Sequence, residues 1–101
     1  MNNKVLIKLI LPELDTSFDI LIPVNEIIWK IKKLLVKSVS DLEGIKLDMN
    51  AEYILLNKRN NRIYNNNEIV INTDIRNSTE LLLITNKECK DNVKTIDYQL
   101  V

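Results

Sequence analysis

The 101 residues include no His, one Cys, one Gly, one Ala and two Pro. Without His there is no imidazole for general acid–base work, for activating a Ser or Cys nucleophile, or for holding zinc. The lone Cys89 closes no internal disulfide and builds no cysteine-based metal or iron–sulfur cage. The lone Gly44 leaves no glycine-rich loop to cradle a phosphate. Charge of one sign is missing too. Fourteen Lys+Arg meet fourteen Asp+Glu, so no global field draws the chain to nucleic acid or to anionic membrane. The apolar run from Val5 to Leu11 is interrupted by Lys8 and followed by Glu13 and Asp15, unlike a signal peptide. No stretch nears the ~18 apolar residues of a membrane span. These absences lead us to expect a cytoplasmic protein that is not an enzyme, carries no cofactor and does not insert into membrane.

What is abundant is Ile and Leu, 15 of each, with 14 Asn. The length suits one domain with one modest core. Residues 4–11 alternate so that Val5, Ile7, Leu9 and Leu11 form a continuous apolar parity, whereas Lys4, Leu6, Lys8 and Ile10 are mixed. Strand periodicity assigns the first set to a core and the second to a partly exposed face. After a polar turn at 12–17, Phe18, Ile20 and Ile22 mark a second strand that ends before Pro23, completing a hairpin.

Apolar steps of three and four through Ile27, Ile28, Ile31, Leu34, Leu35 and Ser38 predict an amphipathic helix over about 26–40, with Asn25 as N-cap. Residues 41–51 read as a connecting loop. Tyr53–Leu56 is a short strand, Ile63-Tyr64 a brief return, and 68–75 an apolar insert with a possible helical turn. Glu80–Ile84 is the last clear strand of residues 1–85. The fold class is therefore α+β: a hairpin, one helix, then two to three short strands in one mixed sheet. Strand one and the last strand pair in parallel at its centre.

That order is carried by Phe18-Asp19-Ile20-Leu21-Ile22-Pro23-Val24 entering the helix, by Ile54-Leu55-Leu56, and by Asn77-Ser78-Thr79-Glu80-Leu81-Leu82-Leu83-Ile84. It resembles ubiquitin and its β-grasp relatives over roughly residues 3–85. Within them it is similar to the YukD-like or EsaB-like proteins of low-GC Gram-positive bacteria, accessory components of type VII secretion systems. The resemblance implies a noncovalent adaptor or regulator, with cytosolic portions of the secretion machinery as protein partners. Ubiquitin and sulfur carriers act through a C-terminal Gly-Gly, and a chain whose only Gly is Gly44 holds no such pair.

Two candidate partner surfaces follow. On the sheet face turned from the helix, parity brings together Leu6, Ile10, Leu21, Leu55, Leu82 and Ile84, too many apolar groups for an ordinary solvent face. The resemblance places Ile10, Leu55, Leu82 and Ile84 where ubiquitin keeps its hydrophobic recognition patch. Either a partner or the C-terminal extension covers this face. On the helix, Trp29 and Val36 project away from the Ile27/Ile31/Leu34 stripe, with Lys32 and Lys33 between them. They form an aromatic anchor with a basic rim, or Trp29 simply covers a loop. The extension 86–101 is charged at first. It then alternates through Ile96, Tyr98 and Leu100 as an added strand would, which allows a homo-oligomeric, self-assembling module. A weak nucleic-acid-binding regulator using residues 30–37 with Lys58, Arg59 and Arg62 is the alternative from another class. Its charge is thin and its aromatics few.

Overall fold

The computed structural model describes residues 3–85. The extension 86–101, with its expected strand and the oligomer built on it, lies outside the described residues. Five elements carry the fold: β1 (Lys4–Leu11), β2 (Thr16–Pro23), α1 (Ile28–Glu43), β3 (Tyr53–Asn57) and β4 (Glu80–Thr85). They form one mixed sheet of order β2-β1-β4-β3. β1 and β2 pair antiparallel, as do β3 and β4. The central β1–β4 pair is parallel, with Leu9 opposite Leu81.

The alternation expected for the hairpin holds. Ile7, Leu9, Leu11 and Ile22 are buried, and Val5, Phe18 and Ile20 pack against them. The hairpin turn is a 3-10 segment, Pro12–Leu14, followed by Asp15 in the left-handed region (φ 52°). The expected insert contains a second 3-10 turn, Val70–Asn72, and the brief return is a single bridge from Ile63 to Leu56.

The helix differs from expectation at both ends and in its roll. It begins two residues later, with Ile27 as cap, and no side chain caps it. Its first amides are satisfied from the far side of the sequence: Ile28 N–H donates to the Glu68 carbonyl (2.8 Å) and Trp29 N–H to that of Asn66 (3.3 Å). Backbone carbonyls thus do what Asn25 was expected to do, answering the unpaired donors of a helix start. At the other end the helix runs on through Glu43, into the segment read as loop, and stops at Gly44 (φ 67°). A left-handed C-cap is the position that favours Gly. A Cβ at residue 44 would meet nothing within 4 Å, so the cost of a side chain there is purely conformational. Gly44→Ala should therefore lower stability by about 1 kcal/mol, read as a shift in the urea midpoint at unchanged slope. An unaltered midpoint would show that the cap carries no strain.

The roll of α1 is set by Ile28, Ile31, Leu35, Val36 and Val39, all buried, while Leu34 is exposed. At 100° per residue the buried arc is centred roughly 90° from the Ile27/Ile31/Leu34 stripe. Val36, expected on the outer side, is only 2% exposed and belongs to the core. The edge of β3 and the loop before it lie on that flank, so Val36 is covered where Leu34 is not.

Candidate functional site: the outer sheet face and the helix–edge groove

The strand registers place outward side chains in rows across the sheet. Leu6 faces Leu21. The next row is ionic: Lys8 lies between Asp19 and Glu80, and Lys58 reaches Glu80 at 3.9 Å. Beyond it Ile10 lies opposite Leu82, Leu82 opposite Leu56, and Leu56 opposite Ile63. Ile84 and Ile54 form the row after that. The charged row divides the face into a small Leu6–Leu21 pair and a broader patch of Ile10, Leu82, Leu56, Ile63, Ile84 and Ile54. Leu21 and Ile63 are the most open of these, at 56% and 59% exposed.

Five of the six expected residues therefore share the outer face, in two groups rather than one. Leu55 does not. It is fully buried, pointing at the helix between Leu83 and the core, and its neighbours Ile54 and Leu56 take the outer positions. Tyr53-Ile54-Leu55-Leu56 is apolar on both parities, so periodicity could not choose between them. The polar Asn57 shares parity with Leu55. It is itself buried, because its side-chain amide donates to the Tyr64 hydroxyl (3.2 Å) and to Asp74 Oδ2 (3.5 Å). Ile54, Leu56 and Ile63 are the members of the patch that sequence reasoning missed.

The Asn57 amide belongs to a polar knot that fixes the patch from beneath. The buried Tyr64 hydroxyl donates to Asp74 Oδ1 (2.5 Å), and Asn60 Nδ2 donates to Asp74 Oδ2 (3.1 Å). Arg62 pairs with Glu68 (2.6 Å) and Asp74 (3.6 Å) and lies over the Tyr64 ring at 5.1 Å. Burial, then the hydrogen bond to Asp74, pushes the Tyr64 hydroxyl up to about 12. At Asp74 desolvation works upward. The hydrogen bonds from Tyr64 and Asn60 and the Arg62 charge together outweigh it and hold the carboxyl below its ordinary range.

The second expected surface is a groove. Trp29, Lys32, Lys33 and Val36 on α1 line a cavity of about 420 Å³ with Met49–Ile54 and Asn66. Trp29 is 41% exposed there and Met49 likewise, while Val36 supplies the apolar floor. Lys32 lies within the buried arc of the helix, and its ammonium leaves the apolar surroundings by donating to Asn66 Oδ1 (2.8 Å). Desolvation pulls its pKa down, and the nearby Glu52 carboxylate works against that shift. Tyr53 closes one end, its hydroxyl donating to the Asp48 carbonyl (2.9 Å).

The basic cluster is largely matched in place. Lys58 and Arg62 are paired as above, Lys30 sits 3.9 Å from Glu26, and Lys37 sits 3.5 Å from Asp41. A nucleic-acid reading would require these pairs to open.

No protein-family model matches the chain, and no curated protein sequence matches it. Solved structures do. The ubiquitin-like domain of an Arabidopsis thaliana protein superposes on 83% of this chain and 79% of that one, with TM-score 0.57 and 10% identity. The fold is the ubiquitin-like β-grasp. The same β-grasp recurs in a chain from a structure concerned with molecular mimicry of SUMO in DNA repair, with TM-score 0.60 and 14% identity. That match covers 82% of this chain and 92% of the other. It also recurs in a chain of the MycP5-free ESX-5 inner membrane complex, with TM-score 0.66 and 12% identity, over 83% of this chain and 21% of that one. The present chain thus spans about a fifth of the ESX-5 protein it matches. No helix among the described residues is long and apolar enough to cross a membrane.

Proposed function

We propose that this β-grasp chain is a noncovalent adaptor or regulator that works by being bound, as a non-enzymatic accessory component of a bacterial type VII secretion system. The observation that carries the binding role is the row Ile10–Leu82–Leu56–Ile63, an apolar strip on the outer sheet face, set off by the Lys8–Glu80 ionic row. Burying such side chains on a partner is worth roughly 1.5–3 kcal/mol each before association costs. The secretion assignment is supported by the YukD-like resemblance and by the fold shared with a component of the ESX-5 complex. The partner is the cytosolic portion of the membrane-embedded secretion machinery, met in the cytoplasm. Leu6 and Leu21 extend the contact beyond the ionic row.

Calorimetric titration of the purified chain with that cytosolic portion, taken from the same organism, tests the reading. Ile63→Glu and Leu82→Glu should each weaken binding about tenfold or more, and Ile63→Glu, at an exposed position, should keep a thermal midpoint near wild type. Wild-type affinity in both variants would remove the outer face as the site, and no binding by the unaltered chain would remove the secretion assignment.

A further inference from the structure

The β3–β4 register settles which backbone groups of β3 face the free edge. Lys58 N–H bonds to the Glu80 carbonyl on the β4 side, whereas Asn57 N–H bonds to Arg62 O (2.9 Å) and Leu55 O accepts from Tyr64 N–H (3.0 Å) on the other. Odd-numbered residues of β3 therefore turn their backbone outward. The 62–64 segment covers the edge at Leu55 and Asn57. Around Tyr53 no backbone bond is made on that side among the described residues, and there the edge opens onto the groove of Trp29, Lys32, Lys33 and Val36. One open backbone position beside an apolar trough leaves a place where a further segment of chain can pair.

Three observations name the occupant. β4 ends at Thr85, directly opposite Tyr53, so the chain leaves the described fold next to this edge. Reaching the far side of β3 takes about two strand spacings, ~10 Å, and residues 86–94 extended would span up to ~30 Å. Residues 95–101, Thr-Ile-Asp-Tyr-Gln-Leu-Val, then alternate apolar groups at Ile96, Tyr98 and Leu100, and they carry one carboxylate and no cation. The groove offers an apolar wall of Trp29, Val36 and Met49 and the cations Lys32 and Lys33, with Glu52 as the one acidic residue lining it.

We infer that residues 95–101 dock in this groove, with alternate apolar side chains against Trp29 and Val36 and a backbone pairing at the one open edge position, Tyr53. The inference does not rest on the outer-face reading: the groove and the outer patch share only Ile54, at the rim of β3. Docking also screens the open edge against unwanted pairing with other chains.

Trp29 is the sole tryptophan, which makes its fluorescence a probe of the groove. In the full chain, Tyr98→Asp and Leu100→Asp should each shift Trp29 emission to the red and roughly double its acrylamide quenching. Amide exchange at Tyr53 should accelerate about tenfold or more, with the amides of β1 unchanged. Wild-type protection should survive about hundredfold dilution. Unchanged quenching and exchange in both variants would overturn the inference. So would exchange changes confined to β2, or protection lost on dilution, which would assign the groove to a second copy.

Discussion

Leu55→Glu is expected to abolish cooperative folding, whereas Leu56→Glu, one residue along the same strand, should leave a folded domain. Leu55 is 0% exposed at the junction of β3, β4 and α1, while Leu56 faces outward opposite Leu82. Losing the leucine forfeits about 2–5 kcal/mol, and an unpaired buried carboxylate adds several more. That sum competes with a total stability of about 5–15 kcal/mol for a domain of this kind. A urea titration followed by circular dichroism distinguishes the two variants. A milder pair, Leu55→Ala against Leu56→Ala, gives the same contrast within the folded range. A folded Leu55→Glu with a wild-type midpoint would show the strand's parity to be the reverse of that described.

The second large effect is on alkaline stability. Tyr64 titrates at about 12 in the folded protein against an ordinary value of 10. A folded-state pKa raised above the unfolded one gives a contribution fully present below pH 10 and lost as pH rises toward about 12. The cause is local: ionisation must break the hydrogen bond to Asp74 and put an anion beside that carboxylate. The unfolding midpoint of the wild type should fall steeply over this window. In Tyr64→Phe the fall should be much shallower, from a lower starting stability. Parallel curves for the two proteins would mean that Tyr64 is not held neutral. The acid limb has the opposite sign. Asp74 is depressed in the folded state, so its contribution is present above the ordinary carboxylate range and disappears as pH drops below it, and Asp74→Asn should flatten that limb.

Both effects trace to residues on which the sequence was silent or misleading, and the reasons are local. In β1, charges at Lys4 and Lys8 break one parity and leave the other apolar, so the inward set could be read directly. In β3 the run Tyr53–Leu56 has no such marker, and the buried Asn57 imitates a surface residue because its partners, Tyr64 and Asp74, are distant in sequence. The helix shows the same contrast. Its existence followed from the spacing of apolar residues, but Leu34 and Val36 flank the buried arc on opposite sides, and nothing within the helix says which goes under. The groove was half visible: Trp29, Lys32, Lys33 and Val36 line one wall, and the loop expected as the alternative cover for Trp29 supplies Met49–Ala51 of the other, whereas the share taken by β3 and Asn66 was not legible.

Composition by itself determined the chemistry that is out of reach, since His-dependent catalysis, paired Cys and glycine loops need residues this chain lacks. Periodicity by itself determined the two hairpin strands and the presence of one helix, because each is set by a pattern within one segment. Tertiary structure alone decided the parity of β3, the roll of α1 and the start of the helix. Each depends on a contact between segments far apart in the chain: Asn57 with Asp74, Val36 with the loop at 49–54, and Ile28 N–H with the Glu68 carbonyl. A local pattern records which residues favour burial. It does not record which neighbour arrives to bury them.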